Sequence, residues 1–195
     1  MSSIENFNNT YRDSSLVPLS EEYLELIFKW RNSSRVRENM FNSTELKWED
    51  HLQWFDNLKK QENKFHYVFL HNKTPKGFLS FHRAHEIENS LNWGFYLGNS
   101  NEKKGLSYLM GMLGLDLAFN IIKVNEIYAQ VLENNFKSFR YHLQLGFNLE
   151  SKELYSKNEK NYYLFKYNKN NWEFKRNMIE ENLKELFNEI FLYRK

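Results

Sequence analysis

The chain reads as an α/β protein, with helices packed on a sheet, and three observations predict this. Short apolar runs of strand length alternate with longer segments whose apolar residues recur at three-to-four spacing. The stretch Gly94 to Phe147 holds two successive units of strand, polar loop and helix. The 195 residues are 41% apolar and 17% aromatic, enough for one sizeable core in a composition otherwise rich in Asn and Lys.

Leu16-Val17-Pro18-Leu19 predicts a first short strand. A helix follows over Glu21 to Arg31, with Ser20 as its cap, Glu21 and Glu22 in its first turn, and Leu24, Ile27, Phe28 and Trp30 as its inner stripe. A second helix covers Trp48 to Lys60, where Trp48, Leu52 and Phe55 share a face opposite Glu49, Asp50 and Gln53. Strands follow at Phe65 to Leu70 and Gly77 to Ala84, joined by the turn Asn72 to Lys76, and a third at Leu91 to Leu97. A long apolar helix over Leu106 to Ile121 leads to a strand at Glu126 to Leu132 and a helix that stops at Gly146. Two strands, Phe147 to Leu154 and Asn161 to Tyr167, close the pattern around the polar turn Tyr155 to Lys160.

Residues 1–171 thus read as one domain, and residues 172–195 as a helical extension. In the extension Met178, Ile179, Leu183, Leu186, Phe187, Ile190 and Phe191 repeat at helical spacing and need a surface to cover them. Either the same domain or the partner subunit of a homodimer supplies one. Glu180, Glu181, Glu185 and Glu189 argue against a membrane surface. There is no cysteine, hence no thiol chemistry, no run long enough to span a bilayer, and no signal-like start at Met1-Ser2-Ser3, so a cytoplasmic protein is expected. The formal charge of +2 is too small to predict nucleic-acid binding.

Chemistry is written most clearly between residues 94 and 147. The loop Asn101-Glu102-Lys103-Lys104-Gly105-Leu106-Ser107 feeds a helix whose first N–H groups lack intrahelical partners and carry the positive end of the dipole, a place for a diphosphate. Gly105 lets the backbone approach such a group, and Lys103 and Lys104 add charge at the rim. In the second unit Asn134 or Asn135 suits an N-cap and Gly146 a C-terminal stop.

Glu133, Asn134, Asn135, Ser138, Gly146 and Phe147 stand at the spacing found in the GNAT N-acetyltransferase superfamily, which this half of the chain resembles. The loop departs from that pattern: Glu102 occupies an Arg or Gln position, Ser107 the second small-residue position, and Gly105 alone matches. The resemblance implies a central mixed, mostly antiparallel sheet flanked by helices on both faces. It also implies acetyl-CoA as co-substrate, bound by the strand carrying Tyr96 and Leu97, by residues 103–107, and by Asn135 and Ser138. Transfer to an amine would be direct and need no metal. The position that protonates the departing thiolate holds His142, with Tyr141 beside it as the alternative, and adjacent helical residues diverge by about 100°. On the strand bordering the acceptor, Ser80 and His82 share a face and are the candidate base. A metal site at His82-Arg83-Ala84-His85 fails, because residues three apart on a strand face opposite ways.

Trp30-Arg31-Asn32, Val36-Arg37, Met40-Phe41 and His51-Leu52-Gln53-Trp54-Phe55 resemble a narrower group, the amino-sugar N-acetyltransferases of the pseudaminic acid pathway. This likeness spans residues 16 to 167 and implies a UDP-linked 4-amino-4,6-dideoxy sugar as acceptor, contacted by Arg31, Met40, Phe41 and Trp54. Polyamine and ribosomal-protein N-terminal acetyltransferases share parts of this half, and a module that binds acyl-CoA without turnover is a further alternative. A polycation needs an acidic pocket, for which Glu86, Glu88 and Glu102 are sparse. Neutralising a lysine amine of pKa about 10.4 at pH 7 costs roughly 4 kcal/mol, so a modest base such as His82 suits a weaker amine.

Overall fold

The computed structural model describes residues 10–11, 13–61, 63–83, 88–155 and 160–192, and side chains as far as residue 185. A two-residue strand β1 (Thr10–Tyr11) and β2 (Ser14–Pro18) precede three helices, α1 (Leu24–Asn32), α2 (Ser34–Arg37) and α3 (Trp48–Leu58). Then come β3 (Lys64–His71), β4 (Thr74–Arg83), β5 (Ser90–Leu97), α4 (Leu106–Asp116), β6 (Glu126–Leu132), α5 (Phe136–Leu145), β7 (Asn148–Tyr155), β8 (Lys160–Asn168) and α6 (Lys169–Leu192). The strands form one sheet in the order β1-β2-β3-β4-β5-β6-β8-β7, antiparallel at every step except β5 beside β6. This is the mixed, mostly antiparallel sheet that the sequence predicts.

Local chemistry explains the departures in detail. The β3–β4 turn is only Asn72-Lys73, both at positive φ (49° and 60°), the two-residue hairpin whose twist matches its strands, so β4 starts at Thr74 and takes in Pro75. Ser20 caps nothing: its hydroxyl bonds the Glu22 carboxylate at 3.0 Å, and the chain enters α1 through one 3₁₀ turn, Glu21–Tyr23. The one-turn helix α2 is too short to show periodicity. The long helix runs on from α4 through a π-helical turn, Leu117–Ile122, which ends on Lys123 at φ 62°. Ala84 and Glu86 lie outside the described residues.

Two apolar clusters fill the two faces of the sheet. Helix α4, buried on nearly every side, packs with Leu79, Phe81, Leu91 and Trp93 on one face, while Ile27 and Trp30 of α1 meet Val68 and Phe78 on the other. Helix α6 joins the first cluster through Trp172, Ile179 and Leu183. Its anchor is the buried Asp116 of α4, which accepts from the Trp172 indole at 3.0 Å and from Arg176 at 2.8 and 2.9 Å. The described part of the extension thus packs on its own domain, with Met178 turned outward. The side chains of Leu186, Phe187, Ile190 and Phe191 lie outside the described residues. No helix among the described residues is long and apolar enough to cross a membrane.

Candidate active site

The one parallel pairing creates the site. Strands β5 and β6 pair from Ser90–Glu126 to Trp93–Ala129 and then part, leaving Gly94 to Leu97 and Gln130 to Leu132 on either side of a gap. A cavity of about 1100 Å³ runs through this gap and across the α1 side of the sheet. Gly98 N–H donates to the Lys76 carbonyl on the β4 side at 2.8 Å. By strand alternation the N–H groups of Tyr96 and Gly94 also face β4, and those of Phe95 and Leu97 face the gap. The Leu97 carbonyl on that edge already accepts from Arg35 at 2.5 Å.

At one end of the gap lies the start of α4. Gly105 is its N-cap, at φ 91°, a conformation that a side chain would strain. The N–H groups of Ser107 and Tyr108 have no partner among the described residues, whereas that of Leu109 reaches the Gly105 carbonyl. Lys103 and Lys104 are exposed, and Leu106 is buried in the core beneath them. Glu102 is turned aside into a salt bridge with Lys76 at 3.2 Å, also held by Asn99, so it does not obstruct the cradle. Asn135 caps α5 by accepting the Ser138 N–H at 3.1 Å, and both residues line the cavity. Of the cradle, Ser107 lines the same cavity as Asn135 and Ser138.

Tyr141 and His142 diverge as helical neighbours must. The Tyr141 hydroxyl reaches back to α4, donating to the Ser107 carbonyl at 2.8 Å, over Gly111, where any Cβ would lie 2.0 Å from it. Burial raises its pKa. His142 points toward the sheet and is 3% exposed. The Trp93 indole, which can only donate, bonds its Nε2 at 3.2 Å, so Nε2 carries no proton and Nδ1–H donates to the Ser138 carbonyl at 2.7 Å. Burial pushes its pKa down to about 4, against the weaker opposite pull of that carbonyl. With both nitrogens engaged inside the protein, His142 holds Trp93 in place and has no proton facing the cavity.

The α1 side of the sheet carries a polar patch in two rows. His66 stands opposite Ser80, which stands opposite Gly94; His82 stands opposite Asn92. All five line the cavity. The Ser80 hydroxyl donates to the Gly94 carbonyl at 3.2 Å. His82 is pressed toward its neutral form by burial and then by Lys64, which suits a proton acceptor. Among the described residues no cluster of three or more metal-ligating side chains occurs.

Above this patch stand α1, α3 and the loop between α2 and α3. Asn32 grips that loop through both the N–H and the carbonyl of Leu46, at 2.8 and 3.0 Å, and Arg31 through the Asn42 carbonyl at 2.6 Å. Arg31 Nη1 is buried without a partner. Burial lowers the Arg31 pKa, opposed by Tyr96 and reinforced by Arg37. Trp54 is stacked on His51 with ring centres 5.1 Å apart and meets His66 edge-on at 5.4 Å. Met40 and Phe41 line the cavity from the loop; Phe41 packs on Tyr155 and Tyr162, and Lys160 donates to both their carbonyls at 3.2 Å. Sequence reasoning missed Arg35, His66, Asn92 and the Phe95 N–H. Only the strand alternation of His66 with Val68 carries any signal for them.

A family profile described as an acetyltransferase (GNAT) domain matches residues 15–148. The chain belongs to the GNAT acetyltransferases. Acetyltransferase PseH of Campylobacter jejuni subsp. jejuni is 27% identical over 139 residues, 70% of this chain and 85% of that protein. Among solved structures, apo FdhC, a nucleotide-linked sugar GNAT, matches with a TM-score of 0.74 at 20% identity, over 89% of this chain and 96% of FdhC. A Vibrio cholerae spermidine N-acetyltransferase in complex with CoA and spermine matches with a TM-score of 0.73 at 17% identity, over 83% and 99% of the two chains. Such structural likenesses show the GNAT fold.

Proposed function

We propose that this GNAT enzyme transfers the acetyl group of acetyl-CoA to the amine of a nucleotide-linked amino sugar, the 4-amino group of a UDP-linked 4-amino-4,6-dideoxy sugar. The observation that carries the reading is the charge of the cavity wall. Among the described residues its lining holds Arg31, Arg35 and Lys137 against one carboxylate, Asp50, and Arg31 Nη1 is a buried donor without a partner. An anionic diphosphate suits such a wall, and a polyamine does not. Trp54, Phe78 and Tyr96 add aromatic faces for a base or a sugar ring. PseH and FdhC support the same direction.

Acetyl-CoA supplies the acyl group as an activated thioester. The α4 N-terminus with Gly105, Ser107, Lys103 and Lys104 binds its diphosphate, and Asn135 and Ser138 flank the rest. His82, alone or through water held by Ser80, removes a proton from the acceptor ammonium. The N–H groups of Phe95 and Leu97 face the gap where negative charge develops on the carbonyl oxygen. Tyr141 returns a proton to the leaving sulfur: turning its hydroxyl away from Ser107 needs only rotation about one C–O bond, whereas His142 would have to break from both Trp93 and Ser138.

The test is a turnover panel with acetyl-CoA. The UDP-linked amino sugar should be acetylated far faster than spermidine, a lysine peptide or a ribosomal-protein N-terminus, and the free amino sugar should be poor because the nucleotide's binding energy positions the amine. Equal rates on spermidine would overturn the assignment of the acceptor.

A further inference from the structure

Five buried side-chain polar atoms lack a partner among the described residues, and three of them belong to residues that line the acceptor half of the cavity: Arg31 Nη1 and both ring nitrogens of His66. An unpaired buried polar group destabilises the fold, so a ring with two of them is a poor way to fill a wall. Apolar contact does not account for His66, since Phe would make it better. Its neighbours are Trp54 edge-on at 5.4 Å, Phe78 stacked at 5.7 Å and His82 at 5.5 Å, none of which bonds it, while Ser80 directly across the strands spends its proton on Gly94.

We infer that His66 is an acceptor-binding residue that sets specificity, one of its ring nitrogens completed by a neutral hydrogen-bonding substituent of the acceptor, a hydroxyl or an acetamido group near the reacting amine. The inference rests on the acetyl-transfer reading of the cavity. Charge decides the class of substituent. A neutral imidazole offers a donor at one nitrogen and an acceptor at the other, on opposite sides of the ring, and a hydroxyl or an amide can pair with either one. An anion there would have to draw a proton onto a ring that burial first, then His82 and Lys64, hold at a pKa of about 3. A second cation is disfavoured by Lys64 and by the proton that His82 gains in the reaction. His66 therefore reads the neutral part of the acceptor, and Arg31, on the α1 side beside Tyr96, reads the charged part.

The inference makes stability and activity move in opposite directions, which a packing role cannot do. His66→Phe removes two unpaired nitrogens and keeps the ring, so its melting temperature should equal or exceed that of the wild type. Its KM for the amino-sugar nucleotide should rise roughly tenfold, the loss of one hydrogen bond, with KM for acetyl-CoA unchanged. His66→Gln, which keeps a donor and an acceptor, should recover part of the loss. An unchanged acceptor KM in His66→Phe would overturn the inference, as would a fall in melting temperature with equal losses for both substrates. A wild-type enzyme that acetylates no member of the amine panel would instead overturn the acetyl-transfer reading beneath it.

Discussion

Replacing His142 by Phe separates a structural from a catalytic role, because the two predict different dependences on pH. His142 is buried, stacked on Phe165 with ring centres 5.3 Å apart, and accepts the Trp93 indole proton. A phenyl ring can keep the stacking, but it leaves the Trp93 N–H buried and unpaired, at a cost of about 2 kcal/mol. The Ser138 carbonyl keeps its helical partner. Against this, the wild type carries a liability that the variant lacks. The folded pKa of about 4 lies below the ordinary 6.5, so the unfolded chain binds the proton more readily between those values. Stability from the neutral ring is therefore complete above pH 6.5 and is lost as pH falls toward 4. At pH 5 the unfolded chain is favoured by a factor of about 30, or roughly 2 kcal/mol.

The two costs should cancel near pH 5. Urea unfolding at pH 7.5 should find His142→Phe about 2 kcal/mol less stable than the wild type, and at pH 5 the midpoints should nearly coincide. His66 titrates equally in both proteins and drops out of the difference. Turnover at pH 7.5 should fall by less than about threefold, whereas Tyr141→Phe should lower kcat by about 100-fold, the low end for losing a general acid. A stability gap that is the same at both pH values would refute the tautomer argued from Trp93 and Ser138. A 100-fold loss of kcat in His142→Phe with an unchanged midpoint would return the proton to His142.

Other consequences are simpler to measure. Acetyl-CoA should raise the melting temperature by mass action, and Gly105→Glu, which puts a strained side chain and a negative charge into the cradle, should abolish that rise; no shift in the wild type at millimolar acetyl-CoA would remove the cofactor assignment. The log of kcat/KM should climb with pH and level off, with its apparent pKa below 6.5 because burial and Lys64 lower that of His82; His82→Ala should erase this limb, and an unaltered profile would make His82 a bystander. Asp116→Ala leaves the buried Trp172 indole without its acceptor and Arg176 with Glu180 as its remaining carboxylate, so it should cost about 2 kcal/mol and loosen α6 toward proteolysis, while a neutral result would mean that α6 is held by apolar contact alone.

What the sequence disclosed follows the range of the interactions involved. Strand β6, Glu126–Leu132, and the Gly146 stop of α5 were legible to the residue, and the cap of α5 to one of two neighbours, Asn134 or Asn135, because each depends on neighbours within a few positions. The pairing of Ser80 with His82 on one face needs only strand alternation. By contrast His66 acquires meaning only from its register opposite Ser80, fourteen positions away, and from the absence of any partner for its nitrogens. Arg31 and Asn32 are recognisable as a pair in the sequence, yet their grip on the loop at Asn42 and Leu46 is a tertiary fact.

Position 142 shows why a matching position is weaker information than its surroundings. A tyrosine there would present a hydroxyl that can donate and accept at once, and so could satisfy a neighbour while keeping a proton to give. A histidine beside Trp93 cannot: the indole only donates, which fixes Nε2 as the acceptor and commits the one remaining proton to Nδ1, where the Ser138 carbonyl of the same helix takes it. The identity of residue 93, 49 positions away, thus decides what residue 142 can do. One residue earlier on the same helix, the 100° step lets Tyr141 pack its ring on Phe95 with centres 4.8 Å apart and bring its hydroxyl to the first turn of α4, where Gly111 leaves room for it. In this chain Tyr141 and the indole-holding His142 are neighbouring side chains on different faces of α5, and the part that His142 can play is set by Trp93 and Ser138 together.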